Sequence, residues 1–552
     1  MRIFQKIKFL SPANSRWQCD IVSFIILYSV GNSILFQGPL YHRAILSLDA
    51  INFSGFLSLA TLFVFQLVIS ITILTAISLV SISLTKLVCM LLTIGSAAAL
   101  YFIVSYGTIL DSTMMGNVFN TDLNEAAGLT HPKLLLYIFF LGIVPALVFK
   151  NTRITHTSRL KRLLFLVAAL LVGGSWIYAN AKSWLWIDKN AKQFGGLILP
   201  WTYIVNSARY YDQTAASRQE QRLLPGIQST DEKSVVVVLV IGESARAQNF
   251  SLYGYQRNTN PRLSKAGVTV MPNTTSCSTY TTRSIQCMLS HLGGETPAGG
   301  GYEPLTSYLD RHGVEVIWRS NNFGEPRMKV SSFEKADEIR KKCQDNCPSG
   351  NYDELLLYKL DERLRNAQGG KKTLVVLHQA GSHGPQYFKK YPPEFETFKP
   401  VCRTVDQQKC SSEELVNAYD NTILYTDFLL DKVIGMLKTL DNTASVMIYM
   451  SDHGESLGEN GLYLHGIPYS IAPAVQKNIP YLVWMSEKFA ERRHLANPLP
   501  VQNRNYSQDD VFHSVMGAFG MVSDVYKKDK DIFHPATANQ RSDSENKAQA
   551  RK

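Results

Sequence analysis

Apolar residues follow two different patterns along this chain. Up to about residue 180 they form long runs: Ile21–Phe36, Phe53–Ser83, Leu87–Leu110, Leu134–Phe149 and Leu163–Ala179. Most approach or exceed the ~20 residues that carry a helix across a bilayer. The first and fourth are short, so tilt or burial is expected there. Beyond residue 230 the runs shrink to strand length and are rich in β-branched residues: Ser234–Ile241, Val314–Trp318, Thr373–Leu377 and Ser445–Met450. Helical patterns lie between them, as at Ser412–Leu440. That alternation predicts βαβ units and a mostly parallel sheet covered on both faces. The expected fold class is an N-terminal helical transmembrane domain plus a C-terminal α/β domain.

The expected organisation is a membrane domain over 1–181, with about five helices, then an interfacial connector over 182–230. A catalytic α/β domain follows over 231–535, and a polar, disordered tail over 536–552. The connector mixes Trp184, Trp186, Trp201, Tyr203, Tyr210 and Tyr211 with polar residues, and such aromatics favour the membrane interface.

Charge adds an orientation. The net charge of +11 suits an anionic surface, membrane or nucleic acid. No zinc-finger spacing, RNP-like signature or basic helix supports nucleic acid, so no nucleic-acid partner is expected. Lys and Arg cluster at the start (Arg2, Lys6, Lys8, Arg16) and between the fourth and fifth runs (Lys150, Arg153, Arg159, Lys161, Arg162). The segment Asp111–Lys133 carries Asp122 and Glu125 and almost no positive charge. Five spans with the N-terminus inside satisfy the positive-inside rule, and everything after about residue 180 is then outside. A cleavable signal peptide is not expected, because spans continue long after the first.

Cysteines divide the same way. Cys19 and Cys89 fall in or beside apolar runs. The other six form local pairs, Cys277/Cys287, Cys343/Cys347 and Cys402/Cys410. They read as disulfides of an oxidising compartment, each small loop worth roughly 2–3 kcal/mol. Metal binding is the alternative for Cys343/Cys347. In a Gram-negative cell, outside with disulfides means the periplasm.

Each strand-like run ends in polar residues. Ser234–Ile241 is followed by Gly242-Glu243-Ser244, Thr373–Leu377 by His378 and Gly381-Ser382-His383-Gly384, and Ser445–Met450 by Asp452-His453, with His465 further on. In an open α/β sheet, ligands bind at the carboxyl ends of the strands. Glu, Asp and His gathered there form an oxygen/nitrogen ligand set of the zinc type. The stretch Cys277–Cys287 is rich in hydroxyls and precedes a helical pattern. A hydroxyl at a helix N-terminus sits in a field that favours an incoming phosphate, and a metal activates it as a nucleophile. Residue pattern leaves Thr279, Thr281, Thr282 and Ser284 all open. In the outside segment, Asn117, Thr121 and Glu125 recur at i, i+4, i+8 and share one helix face. Their chemistry suits a cationic headgroup, or a solvated face.

The stretches GESARAQNFSLYGYQRNTNPRL, CSTYTTRSIQC, GSHGP and SDHGESLGENGLYLHG together resemble the phosphoethanolamine transferases that modify lipid A. That family includes the mobile colistin-resistance enzymes and belongs to the alkaline phosphatase/sulfatase superfamily. The resemblance covers nearly the whole chain. It implies an alkaline phosphatase/sulfatase-like α/β domain and a monomer in the bacterial inner membrane with its catalytic domain in the periplasm. It implies ping-pong transfer of phosphoethanolamine from phosphatidylethanolamine to a lipid A phosphate through a phosphothreonine, and a link to polymyxin resistance. By matching positions it implies Thr281 as nucleophile, with Glu243, Thr281, Asp452 and His453 holding Zn2+. His383 and His465 would bind phosphate or a second zinc, and His378, Asn117, Thr121 and Glu125 would join them in binding substrate. The pairs Cys277/Cys287 and Cys402/Cys410 match the family's bridges. Two departures stand out. Ser278 and Tyr280 replace a glycine and a small residue. After Trp318-Arg-Ser-Asn-Asn322, the basic residue expected for the acceptor pocket falls to Arg327 or Lys329. The alternatives are another periplasmic acceptor (core sugar, glucan or protein), glycerophosphate transfer of the lipoteichoic acid synthase type, and a non-catalytic membrane sensor. A sulfatase is disfavoured, since no C/S-x-P-x-R match occurs at Cys277.

Overall fold

The computed structural model describes residues 17–534 apart from 49, 51, 121–130, 156, 218–219, 298–300, 346, 367–370, 441–442 and 502–503. The expected polar tail over 536–552 lies outside the described residues. The chain separates into two compact units, one of residues 1–116 and 130–210, the other of 117–129 and 211–552.

The first unit is helical. Among the described residues, four helices are long and apolar enough to cross a membrane: Phe53–Val80, Ile82–Tyr106, Pro132–Asn151 and Arg159–Ala179. The expected first span is a bent pair, Ile21–Phe36 and Gly38–Leu46, meeting at 62°. Asp20 opens it by accepting from the N–H groups of Val22 and Ser23, and Pro39 occupies the first turn after the bend, where a missing N–H costs nothing.

The break between the second and third spans differs from the expected interval around Lys86. Ser81 alone makes it: its N–H closes the first helix on Ile77, and its hydroxyl caps the next by accepting from Leu84 N. Lys86 lies inside the third span, and its ammonium bonds the carbonyls of Lys150 and Thr152. A long stem lets a charged head leave an apolar stretch, so Lys86 is no gap. The fourth span carries a π-helical stretch, Ile138–Ile143, just ahead of Pro145, because proline withholds the N–H that a regular turn requires. Gln18–Asp20 pairs with Arg153–Thr155, within the basic segment between the fourth and fifth spans.

The second unit is built on a seven-stranded sheet. Its strands are β1 (Val235–Gly242), β2 (Thr269–Val270), β3 (Glu315–Ser320), β4 (Ser332–Lys335), β5 (Thr373–His378), β6 (Ala444–Ser451) and β7 (Tyr481–Met485), in the order β2-β7-β6-β1-β5-β3-β4. β6, β1, β5, β3 and β4 run parallel, while β7 and β2 add an antiparallel edge. β1 is buried throughout. Val235, Val237, Leu239 and Ile241 enter one core and Val236, Val238 and Val240 the other. Burial on both faces explains the unbroken apolar run. The helix Ser412–Lys438, opened by a Ser411/Glu414 capping box, covers one face.

Register decides where the chemistry sits. Ser451 pairs with Gly242, and His378 pairs with both Ile241 and Ser320. The four central strands therefore end level, and the residues just beyond them share one edge. Disulfides join Cys277–Cys287, Cys343–Cys347 and Cys402–Cys410, and Cys19 and Cys89 stay free.

Candidate active site

Thr281 opens the helix Thr281–Met288, and the Cys277–Cys287 bridge ties the approach to that helix to its last turn. Among the four hydroxyls left open by sequence, Thr281 is the one that reaches the sheet edge. Its Oγ1 donates to Glu243 Oε2 at 3.0 Å and lies 3.4 Å from His453 Nε2. Thr279 instead donates to the Ile467 carbonyl. Glu243, Asp452 and His453 are fully buried, and Thr281 nearly so.

The four groups are held from behind. Ser244 Oγ donates to Glu243 Oε1, and Asn322 Nδ2 donates to Glu243 Oε2 at 2.7 Å. The N–H groups of Ser244 and His453 donate to Asp452 Oδ1. His453 Nδ1 lies 2.9 Å from the Gly454 carbonyl. A carbonyl only accepts, so Nδ1 carries the proton and Nε2 offers a lone pair. That lone pair lies 3.2 Å from Asp452 Oδ2 and 3.4 Å from Glu243 Oε1. Asp452 Oδ2 has no hydrogen-bond donor.

His453 Nε2, Asp452 Oδ2 and Glu243 Oε1 thus face one another in a buried space. Burial and the Glu243 charge push the Asp452 carboxyl well above its ordinary range. Burial would raise Glu243 too, but the imidazoles of His453, His383 and His465 outweigh it and hold this carboxyl low. Burial, then the neighbouring His465, lowers His453 to about 3, so its imidazole is neutral and ready to ligate. Two carboxylates this close do not both ionise without a cation, and the donor set fits a divalent metal.

His465 comes closer to this centre than expected. Glu243, His453 and His465 offer ligand atoms within 4.8 Å of one another. The His465 ring lies 4.2 Å from that of His453 and 5.1 Å from that of His383. Its Nδ1 is held by Glu455 Oε1 at 3.3 Å, a carboxylate that fixes the ring as outer partners of metal-binding histidines do. His383 follows Gly381, whose backbone takes a φ of +46° and where a Cβ would stand 2.7 Å from the Glu243 carbonyl. Only glycine fits there. Asp353 anchors the same loop by accepting from the N–H groups of Ala380 and Gly381.

His378 stands apart. It is fully buried, with Nδ1 3.3 Å from Ser320 Oγ and 3.4 Å from Glu325 Oε1. Asn117 is half-buried in the helix Ser112–Asn120, while Thr121 and Glu125 lie outside the described residues. Sequence reasoning missed Asn322, Asp353 and Glu455 as supports. Asn322 and Glu455 fall inside or beside the quoted motifs, whereas nothing in the sequence around Asp353 marks it.

Residues 236–521 match the Sulfatase family, and residues 66–215 match the family described as phosphoethanolamine transferase EptA/EptB. Among curated relatives, phosphoethanolamine transferase EptA of Helicobacter pylori is 40% identical over 516 residues, 92% of this chain and 95% of that one. Phosphatidylethanolamine transferase Mcr-1 of Escherichia coli is 36% identical over 73% of this chain and 79% of its own. Among solved structures, the integral membrane lipooligosaccharide phosphoethanolamine transferase A (EptA) of Neisseria meningitidis superposes with a TM-score of 0.84 at 29% identity, covering 93% of this chain and 98% of that one.

Proposed function

The chain belongs to the EptA family of phosphoethanolamine transferases, and from that premise we propose that it carries phosphoethanolamine from phosphatidylethanolamine to a phosphate of lipid A, by way of Thr281. The carrying observation is the meeting of Thr281 Oγ1 with Glu243, His453 and Asp452, where the buried Asp452 Oδ2 faces the His453 Nε2 lone pair without a donor of its own. Glu243, Asp452, His453 and Thr281 would hold a zinc ion, and His465 flanks it. Bound zinc would supply positive charge for the phosphoryl oxygens and favour the deprotonated threonine.

The chain's own residues do the rest. Glu243 fixes the Thr281 hydroxyl, and the turn clamped by Cys277–Cys287 aims it. In the first step the Oγ–P bond forms and the bond from phosphorus to the diacylglycerol oxygen breaks. The Thr281 proton ends on that departing oxygen, and His465, beside His453, is the imidazole that would carry it. His383 and His465 bind the phosphoryl oxygens. In the second step a lipid A phosphate oxygen attacks the same phosphorus, the Oγ–P bond breaks, and Thr281 recovers a proton by the same route. Asn117, Thr121 and Glu125 receive the donor's ammonium group. The spans and three disulfides support an inner-membrane protein with the second unit in the periplasm.

The test is mass spectrometry of protein incubated with phosphatidylethanolamine and no acceptor. The peptide bearing Thr281 gains one phosphoethanolamine, and Thr281→Ala gains none. Lipid A from cells expressing the chain gains the same mass. An unmodified Thr281 peptide in active protein would overturn the nucleophile.

A further inference from the structure

A cavity of about 620 Å³ opens beside the nucleophile, on the side of Asn322 and His383. Its floor touches the catalytic group directly. Asn322 donates to the Glu243 oxygen that also accepts from Thr281. Two residues on, Gly324 takes a φ of +88° and approaches the start of the Thr281 helix so closely that a Cβ would lie 2.9 Å from Thr282 Oγ1. The cavity is therefore next to the reacting atoms and shares Asn322 and His383 with the site that holds them.

Three lysines line it: Lys335, Lys389 and Lys390. Lys335 Nζ bonds the Asn322 carbonyl at 2.7 Å and Glu325 Oε1 at 2.8 Å, with its side chain still 37% exposed. Lys389 is exposed and Lys390 half-buried. Two carboxylates share the lining, Asp337 and Asp353. Both Asp353 oxygens are taken by the N–H groups of Ala380 and Gly381, with Asn321 Nδ2 also donating, so Asp353 is engaged by the loop behind it. Asp337 is exposed. Arg327 and Lys329, the expected cations, do not line the cavity. Both are exposed, and their backbones are held by Gln221 and Ser307.

We propose that this groove is the acceptor subsite, taking the phosphorylated sugar headgroup of the acceptor lipid with Lys335, Lys389 and Lys390 as its cations. The inference rests on the transfer reaction proposed above. The chemistry separates the two lipids. A phosphatidylethanolamine headgroup pairs its phosphate with its own ammonium and has no net charge to draw it to the lysines. A sugar lipid bearing phosphates is anionic throughout and is attracted. The groove thus sorts acceptor from donor by charge, and places an acceptor phosphate on the open side of Thr281.

Full-length protein is assayed in detergent with phosphatidylethanolamine as donor and a synthetic diphosphorylated glucosamine disaccharide lipid as acceptor. Lys389→Glu/Lys390→Glu raises the acceptor KM about tenfold or more, and the increase shrinks at high salt, as expected for surface charges. Lys389→Arg/Lys390→Arg restores the wild-type value. An acceptor KM within about twofold of wild type in the charge-reversed protein overturns the assignment. So does a rise in donor KM in its place, which would make the groove a phospholipid site. The reading beneath it is tested separately in wild-type protein, by Thr281 modification with acceptor omitted; its absence there refutes the reaction rather than the groove.

Discussion

Two carboxylate sites, one half-buried and one fully buried, share one edge of the sheet and are built in opposite ways. Glu325 is met by Lys335 Nζ at 2.8 Å and His378 Nδ1 at 3.4 Å. Burial alone would raise its carboxyl, yet these two partners outweigh burial and hold it at about 2. Glu243 and Asp452 have imidazoles, amides and each other as neighbours, and no lysine or arginine bonds either side chain among the described residues. Asp452 is accordingly driven up. The first site is complete in itself. The second is complete only with a cation, and the Thr281 hydroxyl hangs on the second.

The comparison breaks most readily at Thr281. Thr281→Ala should lower transfer by ~10^4-fold or more, the scale seen when a nucleophile is removed, while the thermal melt stays close to wild type; residual transfer near the wild-type rate would refute the role. Next is metal removal. Chelation should abolish transfer reversibly, with zinc restoring it. Zinc at 100 times its Kd should add about 2.7 kcal/mol of stability, or roughly 4 °C in Tm for a domain of this size. A melt indifferent to chelator and zinc would mean that the donor set does not hold the ion.

Glu325 provides the contrasting acid response. Its carboxyl is depressed from 4.5 to about 2, so its contribution is present above pH 4.5 and is lost as pH falls through about 2. The linkage is on the order of 3 kcal/mol. Glu325→Gln should lose that amount at neutral pH and show a flatter acid limb in denaturant titrations; an unchanged limb would mean that Lys335 and His378 do not stabilise the charge. The smallest effect is the sharpest. In chelated protein Asp452→Asn removes the repulsion with Glu243 and should gain about 1 kcal/mol, whereas in zinc-loaded protein it should cost stability. The same sign in both states would contradict a cation-dependent pair.

Much of this was legible along the chain. A strand buried on both faces must be apolar throughout, so Ser234–Ile241 and Ser445–Met450 announced themselves, and Glu243, Asp452 and His453 followed as the first polar residues beyond them. Paired cysteines were legible for the same local reason. Other features were not. Tyr481–Met485 is short and antiparallel, and only its pairing with β6 shows that it extends the sheet. Lys86 looked like a gap because its charge says nothing of where its stem leads. Ser81 broke two spans through hydrogen bonds that any serine could fail to make.

Local periodicity, then, was enough to determine the apolar spans, the strands and the polar residues at their ends, since these depend on neighbours a few positions away. Which hydroxyl of Thr279, Thr281, Thr282 and Ser284 meets Glu243, that Asn322 and Glu455 support the site, and that Lys335 rather than Arg327 or Lys329 lines the groove were decided by tertiary structure. Those choices turn on loops brought from distant parts of the chain to within about 3 Å, a distance at which hydrogen bonds and charge act and to which sequence spacing carries no guide.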